Sequence, residues 1–148
     1  MRGLPGGGKS TYVRQAMLAA ISSGNRSVAV CSTDDQCMVD GKYVFDPTLV
    51  GIRHKNNQVK CQKMMNAGVE VIYIDNTNTT HKEMQPYKDF ATTAGYEVQE
   101  VLIGKEHLFP DMDGSPHKFT DYIDMCAKRN THNVPRETIE KMARRFQE

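Results

Sequence analysis

The chain has 148 residues, with 19 Lys plus Arg against 18 Asp plus Glu and a net charge of +1. That length suits one domain with a real core, and 39% hydrophobic with 25% charged residues excludes disorder, collagen-like repeats and low-complexity arrays. The near-neutral balance leaves only weak whole-protein attraction to phosphate polymers, so nucleic-acid binding needs a local patch; mean hydropathy is −0.58, and no apolar run approaches the ~20 residues of a membrane span.

After a glycine-rich opening, Lys9 to Ser22 carries Val13, Ala16, Met17 and Ala20 at helical spacing and ends in Ser-Ser-Gly, which predicts a first helix. Residues 27–31 form a short β-branched apolar run, read as a buried strand, that turns polar at once in Ser32-Thr33-Asp34-Asp35. Residues 41–46 read as a turn region. Asp46 before Pro47 is an N-cap acid ahead of a proline at the first helical position, and the helical pattern runs on to Ala67-Gly68. Residues 69–75 are nearly continuous in apolar side chains, as a parallel strand buried on two faces should be. Thr80 and Glu83 fit a capping box, but a helix begun there contains Pro86, so the next helix is placed from about Met84 to Gly95. Residues 96–103 read as another strand, an irregular stretch with Pro110, Gly114 and Pro116 follows, and helices over 119–130 and 135–146 close the chain. Strands alternating with helices predict an α/β layer fold with a mainly parallel sheet.

Gly3-Leu4-Pro5-Gly6-Gly7-Gly8-Lys9-Ser10 matches G-x-x-x-x-G-K-[ST] at every fixed position, with a helix immediately after it. This pattern reads as a phosphate-binding loop. Its glycines let successive N–H groups point into one concavity, the helix N-terminus adds positive potential, Lys9 reaches the β and γ phosphates of ATP, and Ser10 ligates Mg²⁺. Gly3, Pro5, Gly6, Gly7, Gly8, Lys9, Ser10 and Thr11 are therefore the candidate nucleotide-binding residues; the plainer reading is a glycine-rich turn capping a helix. Asp75 ends the most strand-like run, where such proteins place the acid of the magnesium shell, although a strand-terminal Asp also serves as a cap. Asn76, Thr77 and Asn78 are candidates for phosphate or substrate contact, or else Asx-type turn formers.

Asp34 and Asp35 follow the carboxyl end of the first strand, where parallel α/β sheets build their sites. A paired acid there suits a hydroxyl acceptor that must be oriented and deprotonated; the alternative is a solvated capping turn. Lys128-Arg129 closes a helix, where such a pair ordinarily complements the dipole. The stretch from 47 to 69 lacks Asp and Glu, and Arg53, Asn56, Lys60 and Lys63 share one helical face that could track a phosphate backbone, although a solvated face is the commoner meaning. Cys31, Cys37, Cys61 and Cys126 show no CxxC or zinc spacing and read as reduced thiols, Cys31 and Cys61 as packing residues. The opening lacks the apolar core of a signal peptide, so the expected location is cytoplasmic.

Residues 1–11, Ser32-Thr33-Asp34-Asp35, Phe45-Asp46-Pro47, Ile74-Asp75-Asn76-Thr77-Asn78 and Ala127-Lys128-Arg129-Asn130 through Val134-Pro135 occur together and in order. The set resembles the polynucleotide-kinase-like branch of phosphate-loop kinases over nearly the whole chain. That resemblance implies a three-layer P-loop NTPase fold in one domain over 1–148, with a lid-like segment around 104–135, and ATP- and Mg²⁺-dependent phosphoryl transfer to a hydroxyl on nucleic acid or a nucleotide. It makes Asp34 the general base with Lys9 and Arg129 as catalytic partners, Arg129 being the lid arginine that also contacts the nucleotide. The family's Asp-Thr-Asn segment overlaps Asn76-Thr77-Asn78, with Asp75 one position earlier, and Cys37 stands where the end-phosphorylating members carry an arginine. The acceptor is then a 5′-hydroxyl end or a hydroxymethylated pyrimidine in DNA, with Asp35, Arg53 and Lys60 as further substrate contacts, and the setting the host-cell cytoplasm if the chain is phage-encoded. A nucleotide-binding regulatory or adaptor protein without transfer activity, or a small-molecule kinase, is the competing expectation.

Only Met1 and Arg2 precede the loop, too few for the strand that normally leads into it. The first strand is therefore expected to be truncated, with its neighbours, residues 28–31 and 69–75, left with open edges. A start codon placed too late, a trimmed chain, or another segment filling the gap would each account for it.

Overall fold

The computed structural model describes residues 1–109 and 116–148. It is an α/β protein whose described residues fall into two compact units. One comprises Met1–Lys9, Thr77–Glu83 and Glu100–Glu148, and the other Ser10–Asn76 and Met84–Gln99.

The second unit is built on a parallel pair of strands, β1 (Val28–Cys31) and β4 (Val71–Ile74), in the register Val28 with Val71 through Cys31 with Ile74. The ladder continues as Asp75 N donates to the Cys31 carbonyl at 3.0 Å. Residues 28–31 and 69–75 were expected to flank a missing strand, yet the two runs bond directly to each other. Helix α1 (Lys9–Ser22) has the predicted bounds. Helix α2 (Val50–Asn66) follows a 3₁₀ turn at Pro47–Leu49, capped by Asp46, whose carboxylate accepts from the Thr48 amide at 2.9 Å. Cys61 and Met65 of α2 meet Tyr87 and Ala91 of α3 (His81–Ala94) over Cys31, Ile72 and Ile74. Cys31 and Cys61 are fully buried in that core, as packing residues should be.

Three local predictions need correction. The turn region at 41–46 contains half of a hairpin, β2 (Met38–Val39) with β3 (Lys42–Tyr43), joined by Asp40 and Gly41, which both have positive φ. Asp-Gly is the pair that such a two-residue turn favours. Helix α3 starts at His81, earlier than about Met84, and holds Pro86 inside. Glu83 accepts from the amides of Thr79 at 2.7 Å and Thr80 at 3.4 Å, so the capping box outweighs the one hydrogen bond that proline removes. Residues 96–103 form no strand: among the described residues the segment makes a single parallel bridge, Arg2 with Leu102. Gly3, at φ 151°, turns the chain out of that ladder after one residue.

The first unit has its own core of Leu4, Leu108, Tyr122, Ile123, Cys126, Ile139, Ala143 and Phe146. It is supplied by α4 (Lys105–Leu108), which the sequence did not suggest, by α5 (Pro116–Arg129) and by α6 (Arg136–Arg144). Pro110 and Gly114, in the middle of the expected lid, lie outside the described residues. Arg2 is buried and ties the chain ends together: Nε donates to the Asn78 carbonyl at 3.2 Å, Nη2 to the Gln147 carbonyl, and the guanidinium lies over the Phe146 ring. Among the described residues no helix is long and apolar enough to cross a membrane.

Candidate active site

The glycine-rich segment read from sequence as a phosphate loop runs from Gly3, whose amide donates to the Thr77 carbonyl at 3.0 Å, to Lys9, the first residue of α1. Its shape depends on the helix behind it. A Cβ on Gly6 would stand 2.1 Å from the Cys126 carbonyl oxygen and 2.8 Å from Asn130 N, and Gly6 also has φ 74°. A Cβ on Gly7 would meet the Tyr122 hydroxyl at 2.9 Å. Only glycine lets the loop backbone lie this close to α5, and Leu4, fully buried, pins the loop into the core beneath. Pro5 and Gly8 are half-buried, and Thr11 points to solvent in the first turn of α1.

Lys9 bends back so that its ammonium donates to the Leu4 carbonyl at 2.9 Å, inside its own loop. Arg129 is exposed at the end of α5, with Nη1 3.8 Å from Met125 Sδ. Burial pushes the Cys126 thiol up, opposed by the Tyr122 hydroxyl and by the charges of Lys9 and Arg129. Both cations therefore act on the thiol at the loop's rear wall. The next residue, Asn130, is structural: its side chain bonds the Ala127 carbonyl at 2.7 Å and the Val134 amide at 2.7 Å, closing α5.

In the other unit, Ser10 Oγ donates to Asp75 Oδ2 at 2.7 Å. Asp75 is only 8% exposed, and its Oδ1 is buried with no hydrogen-bond partner among the described residues. A buried carboxylate oxygen left unsatisfied is costly unless something else binds it. An oxygen set of one carboxylate and one hydroxyl fits Mg²⁺, which takes hard ligands and few protein groups.

Asp34 opens a 3₁₀ turn, Asp34–Cys37. Its Oδ1 accepts from Tyr43 Oη at 3.2 Å, and its amide donates to Ser32 Oγ at 3.3 Å. Asp35 pairs with Lys60 at 3.2 Å, so two candidate substrate contacts neutralise each other. Thr33 is bonded on both sides: Oγ1 lies 3.1 Å from His54 Nδ1, and its amide donates to Asn76 Oδ1 at 2.9 Å.

Several candidate substrate residues are spent internally. Asn76 is buried, and its Nδ2 donates to Tyr87 Oη at 3.3 Å, beside Asn57 Nδ2 at 2.9 Å. Asn78, also buried and at φ 44°, donates to the Met1 carbonyl at 2.9 Å. These bonds are of the structural kind that was the alternative reading of the two residues, and Thr77 contributes its carbonyl to Gly3. Arg53 leaves the basic stripe altogether: it is buried, and Nη1 donates to the Val44 carbonyl at 2.9 Å and to Cys37 Sγ at 3.3 Å. Asn56 and Lys63 are exposed, and Lys60 is half-buried. Tyr43, Asn57 and Tyr87 were missed by sequence reasoning. For Tyr43 the Asp40-Gly41 hairpin signal was available; Asn57 and Tyr87, a buried amide and the phenol it donates to, carry no local signal.

No family model matches the chain. It is similar to human NEDD4-binding protein 2, with 30% identity over 148 residues, which is 99% of this chain and 7% of that protein. These findings overturn the assignment to the polynucleotide-kinase-like branch that the ordered motifs suggested: a phosphate loop and short polar strand ends recur too widely to fix a family.

Proposed function

We propose that the chain is a P-loop phosphotransferase that moves the γ-phosphoryl group of ATP, with Mg²⁺, to a hydroxyl on nucleic acid or a nucleotide, in the cytoplasm. The observation that carries this reading is the phosphate-loop sequence at the start of α1, together with the Ser10–Asp75 hydrogen bond and the unpartnered Asp75 oxygen. Lys9 and the loop amides hold the phosphates, and Arg129 neutralises charge on the group in transfer. Ser10 and Asp75 would hold Mg²⁺, which when bound supplies charge neutralisation on the phosphate oxygens. Asp34 accepts the proton of the attacking hydroxyl as its oxygen bonds to phosphorus, and ADP leaves.

The test is a transfer screen with ATP labelled at the γ-phosphate over DNA ends, RNA ends, hydroxymethylated DNA and free nucleosides. Label on a nucleic acid or nucleotide supports the reading, and label on a small molecule alone replaces the acceptor class. ATP binding with no transfer to any acceptor favours the regulatory alternative.

A further inference from the structure

Tyr43 reaches Asp34 from a part of the fold the sequence had read as plain turn. Asp34 opens the Asp34–Cys37 turn, and the β2–β3 hairpin follows directly, pairing Met38 with Tyr43. Folding the hairpin over its Asp40-Gly41 tip returns the chain toward the turn it left, and the phenol reaches Asp34 Oδ1 at 3.2 Å. A carboxylate swings broadly about its last torsion. A donor on one oxygen removes much of that freedom, which matters for a base that must meet a hydroxyl in line with the phosphorus it attacks.

The surroundings fit a fixed phenol. Tyr43 is half-buried, and the Cys37 thiol faces it from the turn, itself held by the Arg53 guanidinium at 3.3 Å. Arg53 also grips the Val44 carbonyl next to Tyr43. The ring cannot drift without disturbing a buried arginine. Burial first, and then the negative charge of Asp34, push the Tyr43 phenol well above its ordinary value, so it remains a proton donor at every working pH. On the other side, Asn76 holds the Thr33 amide, fixing the backbone that leads into Asp34.

We infer that Tyr43 is a positioning residue that orients the Asp34 carboxylate toward the acceptor hydroxyl, and that the β2–β3 hairpin exists in part to deliver it. The inference rests on the phosphoryl-transfer reading given above. It assigns Tyr43 no proton transfer of its own.

Tyr43→Phe keeps the ring and deletes only the hydroxyl. On the acceptor found by the transfer screen, it is expected to lower kcat about tenfold, with the KM for ATP and the melting temperature unchanged. In an Asp34→Asn background the same change should cost nothing further, because the two act as a unit. A spectroscopic arm needs no turnover: at neutral pH the Tyr43 Cζ resonance should move in Asp34→Asn, and the Asp34 Cγ resonance in Tyr43→Phe. An inactive wild type removes the reaction and this inference with it. An active wild type with Tyr43→Phe at full kcat, or with additive losses in the double variant, overturns the inference alone, as do carbon resonances that stay in place.

Discussion

Ser10 Oγ donates to Asp75 Oδ2 across 2.7 Å, joining the second residue of α1 to the residue that follows β4. The other Asp75 oxygen is buried and has no partner among the described residues. Asp75→Asn should leave nucleotide binding in EDTA nearly unchanged while reducing by about tenfold, or ~1.4 kcal/mol, the gain seen on adding Mg²⁺. Titrations of a fluorescent ATP analogue with and without the metal read this directly. An undiminished magnesium effect would take Asp75 out of the metal role.

Lys9 rests on the Leu4 carbonyl. A ligand phosphate must draw it away and offer a charge-assisted bond in exchange, a difference of about 1.5–3 kcal/mol. Lys9→Ala should therefore weaken ATP binding by roughly 10–100-fold and lower transfer as well. Wild-type affinity in this variant, measured by calorimetry, would end the phosphate-loop assignment.

Asp34→Ala separates binding from chemistry. Removing a general base costs about 10²–10⁴ in rate, whereas ATP affinity should stay near wild type. Single-turnover transfer alongside equilibrium binding distinguishes the two, and unchanged turnover would leave Asp34 no more than a turn former.

Much of this was readable from one dimension, and the failures have physical causes. Helix α1 was legible to the residue because its glycine loop, helical spacing and Ser-Ser-Gly ending agree. Helix α3 was misjudged because a proline penalty was weighed against a capping box without knowing that Glu83 would serve two amides. The strand at 96–103 failed because a strand is a partnership, and its partner supplies one residue, Arg2. Within the candidate site, residue types were visible but side-chain commitments were not. Arg53, Asn76 and Asn78 carried both a substrate-contact and a plainer structural reading, and only the structure shows their hydrogen bonds falling on Val44, Tyr87 and Met1.

Ile139 is fully buried in the core of the loop-bearing unit. Ile139→Ala should cost about 2–5 kcal/mol in denaturant unfolding. A loss under about 1 kcal/mol would mean that the site collapses around the cavity more completely than buried helix packing usually allows.

Asp46 gives a pH test. The Thr48 hydroxyl first, then the Thr48 amide, hold its carboxyl below the usual range, with the Arg53 charge assisting. A carboxyl lowered on folding stabilises above its unfolded value of about 3.9, and that contribution is lost as pH falls through the lower folded value. The melting-temperature gap between wild type and Asp46→Ala should thus be open at pH 6 and narrow steadily below about pH 4. A gap independent of pH would show that the carboxylate charge plays no part in the cap.

The rear wall behind Gly6 is made of peptide groups, the Cys126 carbonyl and the Asn130 amide, rather than of side chains. Such a wall is indifferent to what the α5 residues are and sensitive only to where their backbone runs. Substitutions on the exposed face of that helix can accumulate without altering the seat of Gly6, provided the helix keeps its path, whereas Tyr122 behind Gly7 and the buried Ile123 and Cys126 are not free to change. One methyl group added on the loop side, as in Gly6→Ala, has no side chain to push aside and must move main chain instead. Tolerance to mutation here is therefore lopsided, wide on the exposed face of the supporting helix and close to nil on the loop it supports.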